Sequence, residues 1–334
     1  MTDAFDTRYT DSVQHGLKIG TRGSPLALWQ AHAVRDALLA AHPALQPDAV
    51  EIVIFKTKGD AILDRPLAEI GGKGLFTQEL EEALLDGRID CAVHSTKDMP
   101  TSLPEGLAIT AFLKREDPRD ALISAHGGGI DALPHGAIVG TASLRRQAQL
   151  LAIRPDLKVI SFRGNVGTRL KKLAAGAADA TLLAFAGMKR LGLADKATAV
   201  LPVDQLLPAP AQGAVCVESR ADDQRMKDRL APLADADTTQ AVLAERAFLA
   251  ALEGNCRTPI AAYAQISDGQ IHLIGRLLGL DGRQCFEDSI KGPASDSAAL
   301  GWSLGKSVRA RAGEDFLAHI ADIGQNDQQK DKAV

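Results

Sequence analysis

LKIGTRGSPLALWQAHAVRDALLAAHPALQPDAVEIVIFK, Leu17 to Lys56, decides the fold class. LKIGTR is a short apolar run that reads as a strand. PLALWQAHAVRDALLAAH has helical spacing with Pro25 in its first turn, and EIVIFK is a second strand. Further on, TQELEEALLDG reads as a helix from Thr77 that ends near Gly87, and IDCAVH as the next strand. Strand, helix and strand in succession build a parallel sheet with helices on its faces, hence an α/β fold.

A second unit of this kind begins after REDPRDALIS. AIVGTAS, KVISF and ATLLAFAG read as buried strands, separated by helical LRRQAQLLA and TRLKKLAAG. The Pro-rich LPVDQLLPAPAQG interrupts this pattern, and AVCVES reads as a strand that returns to the first unit, so that two crossings join the units. From Asp237 the style changes to a helix, three strand-like runs around IAAYAQI, IHLIGRLL and QCFEDSI, and further helices, which is the order of a small α+β domain. The 334 residues thus divide into domain 1 at 17–114 and 214–233, domain 2 at 115–213, domain 3 at 236–325, and flexible tails at 1–16 and 326–334. No internal repeat of fixed period stands out.

Composition narrows the function class. The chain is 46% hydrophobic and 24% charged, as expected of a soluble globular protein. It has no apolar run of the roughly 18 residues that a membrane span needs, and its polar N-terminus lacks the apolar core of a signal peptide. A cytoplasmic location is expected. Four cysteines without CxxC spacing argue against a disulfide framework and against a structural metal site. A net charge of −4 disfavours a general polyanion binder, yet Arg145 to Arg190 holds ten Lys or Arg against Asp156 and Asp179 alone. That local excess suits a multiply anionic small molecule.

Candidate chemistry sits where strands end. VHSTKDMP, Val93 to Pro100, runs from a buried strand into polar residues, and ligand sites of open α/β sheets lie at such carboxyl ends. There Asp98, beside Lys97, can accept a ligand N–H, move a proton or stabilise a cation, although KD before Pro100 also reads as a solvated turn. His94 next to Ser95 reads as structural, because no second triad member or nucleophile elbow accompanies it. TASLRR (Thr141, Ser143, Arg145, Arg146) and FRGNVGTR (Arg163, Gly164, Asn165, Arg169) both lead from a strand end into an arginine-bearing helix, where free N–H groups and guanidinium forks favour carboxylates. A solvated basic helix face is the plainer reading. Arg22 and Ser24 form a third such junction, and the Gly-rich Glu69 to Phe76 reads as a mobile loop able to bring Lys73 over a cleft. Cys91, Cys216 and Cys285 fall in apolar runs and read as core thiols. Cys256, in the loop LEGNCRTP beside Arg257, has the setting of an exposed thiol.

Together TRGSPLALWQA, TKGDAILDRPLAEIGGKGLF, AVHSTKDMP, REDPRDA, GTASLRRQAQL, SFRGNVGTRL, MKRLGL, LPAPAQGA and LEGNCRTPIAAYA resemble the hydroxymethylbilane synthase (porphobilinogen deaminase) family from Lys18 to Ile323. The resemblance implies two α/β domains similar to a type II periplasmic binding protein and a small α+β C-terminal domain that carries the reactive cysteine. It implies a transferase of tetrapyrrole (porphyrin, haem) biosynthesis. Four molecules of the substrate porphobilinogen condense head to tail with loss of ammonia, and linear hydroxymethylbilane is released by hydrolysis. It also implies a dipyrromethane cofactor bonded through a thioether to Cys256, and no metal. By the same likeness Asp98 is catalytic. Lys97, Thr141, Ser143, Arg145, Arg146, Arg163, Gly164 and Asn165 bind the cofactor, while Arg22, Ser24, Lys73, Phe76, Arg169, Arg190 and Gln212 bind substrate. Thr96, Ala142 and Asn255 stand where many relatives are expected to carry other small or apolar residues.

The strongest rival is a non-catalytic solute-binding protein of the two-lobe type, which calls for a signal peptide and leaves the cysteine loop unexplained. A nucleic-acid-binding regulator could use the basic stretch but lacks a helix-turn-helix candidate. The expectation is a monomer with no nucleic-acid or membrane partner, whose lobes hinge near Arg115–Asp117 and Leu207–Gln212.

Overall fold

The computed structural model describes residues 16–57, 59, 76–254 and 258–320. Three sheets organise them. The first contains β1 (Leu17–Arg22), β2 (Val50–Phe55), β3 (Cys91–Ser95), β4 (Leu107–Phe112) and β10 (Val215–Arg220), in the order β2-β1-β3-β10-β4. β2, β1 and β3 are parallel, and β10 runs antiparallel between β3 and β4. The second contains β5 (Asp120–Ser124), β6 (Ile138–Gly140), β7 (Lys158–Ile160), β8 (Ala180–Ala184) and β9 (Ala199–Val200), in the order β7-β6-β8-β5-β9. There β7, β6 and β8 are parallel, and β5 is the antiparallel strand between β8 and β9. Each sheet therefore has one order, three parallel strands followed by one that arrives along a crossing from the other unit. The third sheet is an antiparallel meander of β11 (Ile260–Ser267), β12 (Gln270–Leu278) and β13 (Cys285–Pro293).

Helices cover these sheets because their apolar stripes have nowhere else to go. α1 (Pro25–Ala41) starts on Ser24, whose Oγ accepts from the Ala27 N–H, and buries Ala31, Val34 and Leu38 against β1. α2 (Gln78–Leu85) packs Leu80 and Leu84 beside Ile89. In the second unit α3 (Leu144–Ile153), α4 (Val166–Ala174) and α5 (Phe185–Arg190) follow β6, β7 and β8. α6 (Gln224–Leu230) contributes Met226 to the first core. α7 (Ala236–Ala251) and α8 (Ser297–Ala312) cover the third sheet, with Phe248 fully buried between them.

Three sequence expectations change, and two strands appear that the sequence did not signal. ATLLAFAG is not strand throughout, since β8 stops at Ala184 and Phe185 opens α5, which buries Ala186 and Met188. DALIS does not precede the second unit but is β5, inside its sheet. LAITAF and the two-residue β9 are strands without a clear sequence signal. Cys285 is exposed, because β13 is an edge strand along which burial alternates and the thiol faces out.

Candidate active site

The carboxyl ends of β1 and β3 lie on one edge of the first sheet, since the two strands are parallel neighbours. They bring Arg22, Ser24, Phe76, Ser95 and Asp98 to one recess. The Arg22 guanidinium lies 4.1 Å from the centre of the Phe76 ring. Asp98 closes a single 3₁₀ turn, Thr96–Asp98, and is exposed to this recess, whereas its neighbour Met99 is buried. Burial of Thr96 and Met99 anchors the turn so that the acid stays at the rim.

His94 takes no part in nucleophilic chemistry. It is buried with Nε2 3.0 Å from Glu218 Oε2, while Ser95 Oγ accepts from Gln30 Nε2 at 2.8 Å. Base and hydroxyl are thus committed to different partners, which supports the structural reading of both.

Lys97 points to the other unit. Its Nζ donates to Gln212 Oε1 at 3.1 Å, and the buried Gln212 in turn donates to Pro118 O at 2.7 Å and Asp120 Oδ1 at 3.1 Å. The Lys97 ammonium is pulled down to about 8, first by the protein packed around it and next by Arg146, with Asp98 and Asp120 opposing. The residue as a whole is nonetheless exposed.

Asp120 explains how Arg145 and Arg146 are held. Arg146 donates to Asp120 Oδ1 at 2.6 and 3.0 Å and to Leu182 O at 2.9 Å. The Arg145 Nη1 lies 2.8 Å from Asp120 Oδ2 and donates to Leu207 O at 2.7 Å. All three side chains are buried. Burial raises the Asp120 carboxyl, but the two guanidinium groups outweigh it and hold the acid well below the usual carboxylate range. Two cations on one anion leave a single positive charge behind the cleft. The sequence missed Asp120 although a signal was present, because a lone acid in an apolar run requires a cationic partner when that run is buried.

The remaining residues line the second unit's edge. Thr141 is buried, and its Oγ1 accepts from the Ser143 N–H at 3.2 Å. Ser143 and Asn165 are the N-caps of α3 and α4, so each junction already satisfies one of its free N–H groups internally. Gly164 has φ +116, a conformation open to glycine, and its carbonyl accepts from Arg169 Nε at 2.8 Å. Arg163 is half-buried at this junction. Arg169 is lowered to about 10 by desolvation first, then by Arg146 and Arg163, with Asp98 opposing, so it stands within the field of both units. Arg190 donates to Gly213 O at 2.7 Å. Among the described residues neither Arg169 nor Arg190 has a carboxylate at ion-pair distance. Two guanidinium groups held by backbone carbonyls, together with Lys97, suit a ligand that carries carboxylates. Lys73, Asn255, Cys256 and Arg257 lie outside the described residues.

A family model described as porphobilinogen deaminase, dipyromethane cofactor binding domain, matches residues 17–228, and one for the porphobilinogen deaminase C-terminal domain matches 239–310. A porphobilinogen deaminase of Nitrobacter winogradskyi is 54% identical over 303 residues, 91% of this chain and 96% of that one. One of Paracoccus denitrificans is 55% identical over 304 residues, 91% of this chain and 97% of that one. The periplasmic VFT2 domain of Bordetella pertussis BvgS is similar at 16% identity and a TM-score of 0.40, covering 70% of this chain and 93% of that chain, a likeness too loose to bear on function. The chain belongs to the porphobilinogen deaminase family, and residues 17–228 form its dipyrromethane-cofactor binding region.

Proposed function

We propose that this chain is a hydroxymethylbilane synthase that joins four porphobilinogen molecules head to tail, releases ammonia at each step, and frees linear hydroxymethylbilane by hydrolysis. The observation that carries the reading is the placement of Asp98 in one recess with Arg22, Ser24 and Phe76, within the field of Arg169 of the opposite unit, which has no carboxylate at ion-pair distance among the described residues. Family membership displaces the solute-binding alternative.

Departure of ammonia from an aminomethyl pyrrole leaves positive charge that spreads to the ring nitrogen. A carboxylate beside that N–H stabilises the charge and accepts or returns a proton. Asp98 does both in this reading. Arg22, Ser24, Lys73, Phe76, Arg169, Arg190 and Gln212 receive the acetate and propionate of the substrate. A dipyrromethane cofactor, joined by a thioether to Cys256, supplies the primer to which pyrroles are added. Lys97, Thr141, Ser143, Arg145, Arg146, Arg163, Gly164 and Asn165 hold it, with Arg145 and Arg146 acting through the positive charge that Asp120 leaves uncancelled.

The same reading places the catalytic acid in domain 1 (17–114 and 214–233), cofactor binding in domain 2 (115–213) and the attachment cysteine in domain 3 (236–325). It describes a cytoplasmic monomer whose partner is a small molecule; no described helix is long and apolar enough to cross a membrane.

Intact mass of the purified chain tests the proposal. The expected excess equals two pyrrole units and disappears in Cys256→Ala. An unmodified mass in protein that makes tetrapyrrole would remove the thioether from the reading.

A further inference from the structure

Arg190 is held differently from Arg145 and Arg146, which share the Asp120 carboxylate. One Nη donates to Gly213 O at 2.7 Å, and the guanidinium carbon lies 5.4 Å from the centre of the Trp29 ring. Trp29 belongs to α1 of the first unit and Arg190 to α5 of the second, so the ring reaches across the gap between the two sheets. Trp29 lies off the buried face of α1 and is 41% exposed, a large apolar surface that fold stability leaves unused.

The two helices meet in register. Leu26 precedes Trp29 by three residues and Gly187 precedes Arg190 by three, so each pair shares one helix face. A methyl group at Gly187 would stand 3.4 Å from Leu26 Cδ2, so the α1 and α5 surfaces lie about one methyl group apart one turn before the ring and the cation meet. The small residue at 187 thus lets α5 come close enough to α1 for Trp29 to cover one face of the guanidinium. An aromatic face holds a cation without neutralising it, and desolvation lowers Arg190 against the nearby Glu116, which is itself bonded to Lys189.

We infer that Trp29 is a positioning residue for substrate binding: from the first unit it orients Arg190 of the second, keeping the guanidinium's free edge toward an incoming carboxylate of porphobilinogen. This rests on the reading of Arg190 as a carboxylate-binding residue. The ring fixes direction and leaves the charge available, a combination that a carboxylate partner such as Asp120 does not provide.

Steady-state kinetics of the holoenzyme, with primer content checked by intact mass, tests it. Trp29→Leu is expected to raise the apparent KM for porphobilinogen roughly five- to tenfold, as loss of a cation–aromatic contact implies, with kcat little changed. Trp29→Phe, which keeps a ring face, is expected to recover most of the loss. In an Arg190→Ala background Trp29→Leu should add nothing, and a further increase of the same size there would overturn the inference. If Arg190→Ala raises KM while Trp29→Leu does not, the positioning role falls and the reading of Arg190 stands; if Arg190→Ala itself leaves KM unchanged, the reading of Arg190 falls. An optical readout spares the ring. The chain has two tryptophans, so in Trp302→Phe all indole emission comes from Trp29. That emission should change when porphobilinogen is added, and constancy under saturating substrate would count decisively against the inference.

Discussion

Asp98 and Asp120 show how one residue type serves two ends. Asp98 stands at the rim of a recess, where its charge faces open space, while Asp120 is buried under two arginines, where its charge meets the protein. Asp98→Asn keeps shape and loses the carboxylate, so turnover is expected to fall by about 10² to 10³, the scale seen when a group aimed at developing charge is removed, with the primer mass retained. Near-normal single-turnover rates would take Asp98 out of the mechanism. Asp120→Asn strands two buried cations and is expected to cost about 3–5 kcal/mol in denaturant unfolding at neutral pH. Because the folded carboxyl is held below its ordinary value, the stability it confers is full above the unfolded pKa of about 3.9 and is lost as pH falls through the lower folded value. The gap between wild type and variant should therefore narrow below about pH 4, and a gap that widens on acidification would contradict the pairing. Lys97, lowered to about 8, should react with amine-directed acylating reagents with a midpoint near that pH, as peptide mass mapping would show.

At the scale of elements, the two crossings are gripped by the third unit. Glu245 of α7 is buried and accepts from Arg115 Nη1 at 2.7 Å and Nη2 at 3.1 Å on the first crossing, from the Ala211 N–H at 2.5 Å on the second, and from the Ala264 N–H of β11 at 2.7 Å. Gln149 of α3 accepts from both the Leu207 N–H at 2.9 Å and Arg276 Nη1 of β12 at 2.7 Å. Gly213 follows with φ +90, where any Cβ would stand 2.4 Å from Glu116 O. The segments expected to act as hinges are thus tied to a common anchor. Glu245→Gln leaves Arg115 buried without its counter-charge and is expected to cost about 3–5 kcal/mol by equilibrium denaturation. A loss of a few tenths would mean that the carboxylate contributes little there.

For the molecule as a whole, the common strand order of the first two sheets matters more than their sequences, which show no repeat. Each sheet lends its fourth strand position to a segment arriving from the other, so two chain crossings join the lobes. With α7 holding both crossings, X-ray scattering of wild type and of Cys256→Ala should give closely similar radii of gyration, and Glu245→Gln a larger one. A marked expansion in Cys256→Ala alone would show that the primer, and not Glu245, holds the lobes together.

Local pattern sufficed for much of this. The strands β1, β2 and β3, the strand-to-helix junctions at Ser24, Ser143 and Asn165, and the carboxylate-seeking character of 145–190 follow from residue type and near neighbours, because periodicity and charge density are properties of a short stretch of chain. Short β9, the early end of β8 and the outward turn of Cys285 were not legible, since sheet edges and helix starts are set by what packs against them. The same divide separates the site residues. That arginines near strand ends would meet carboxylates is written in the sequence, but which arginines are free is not. Asp120 holds Arg145 and Arg146, a carbonyl and an indole face hold Arg190, and these partners come from 23 to 161 residues away along the chain. Charge is carried by the residue, whereas its availability depends on the neighbours that folding supplies.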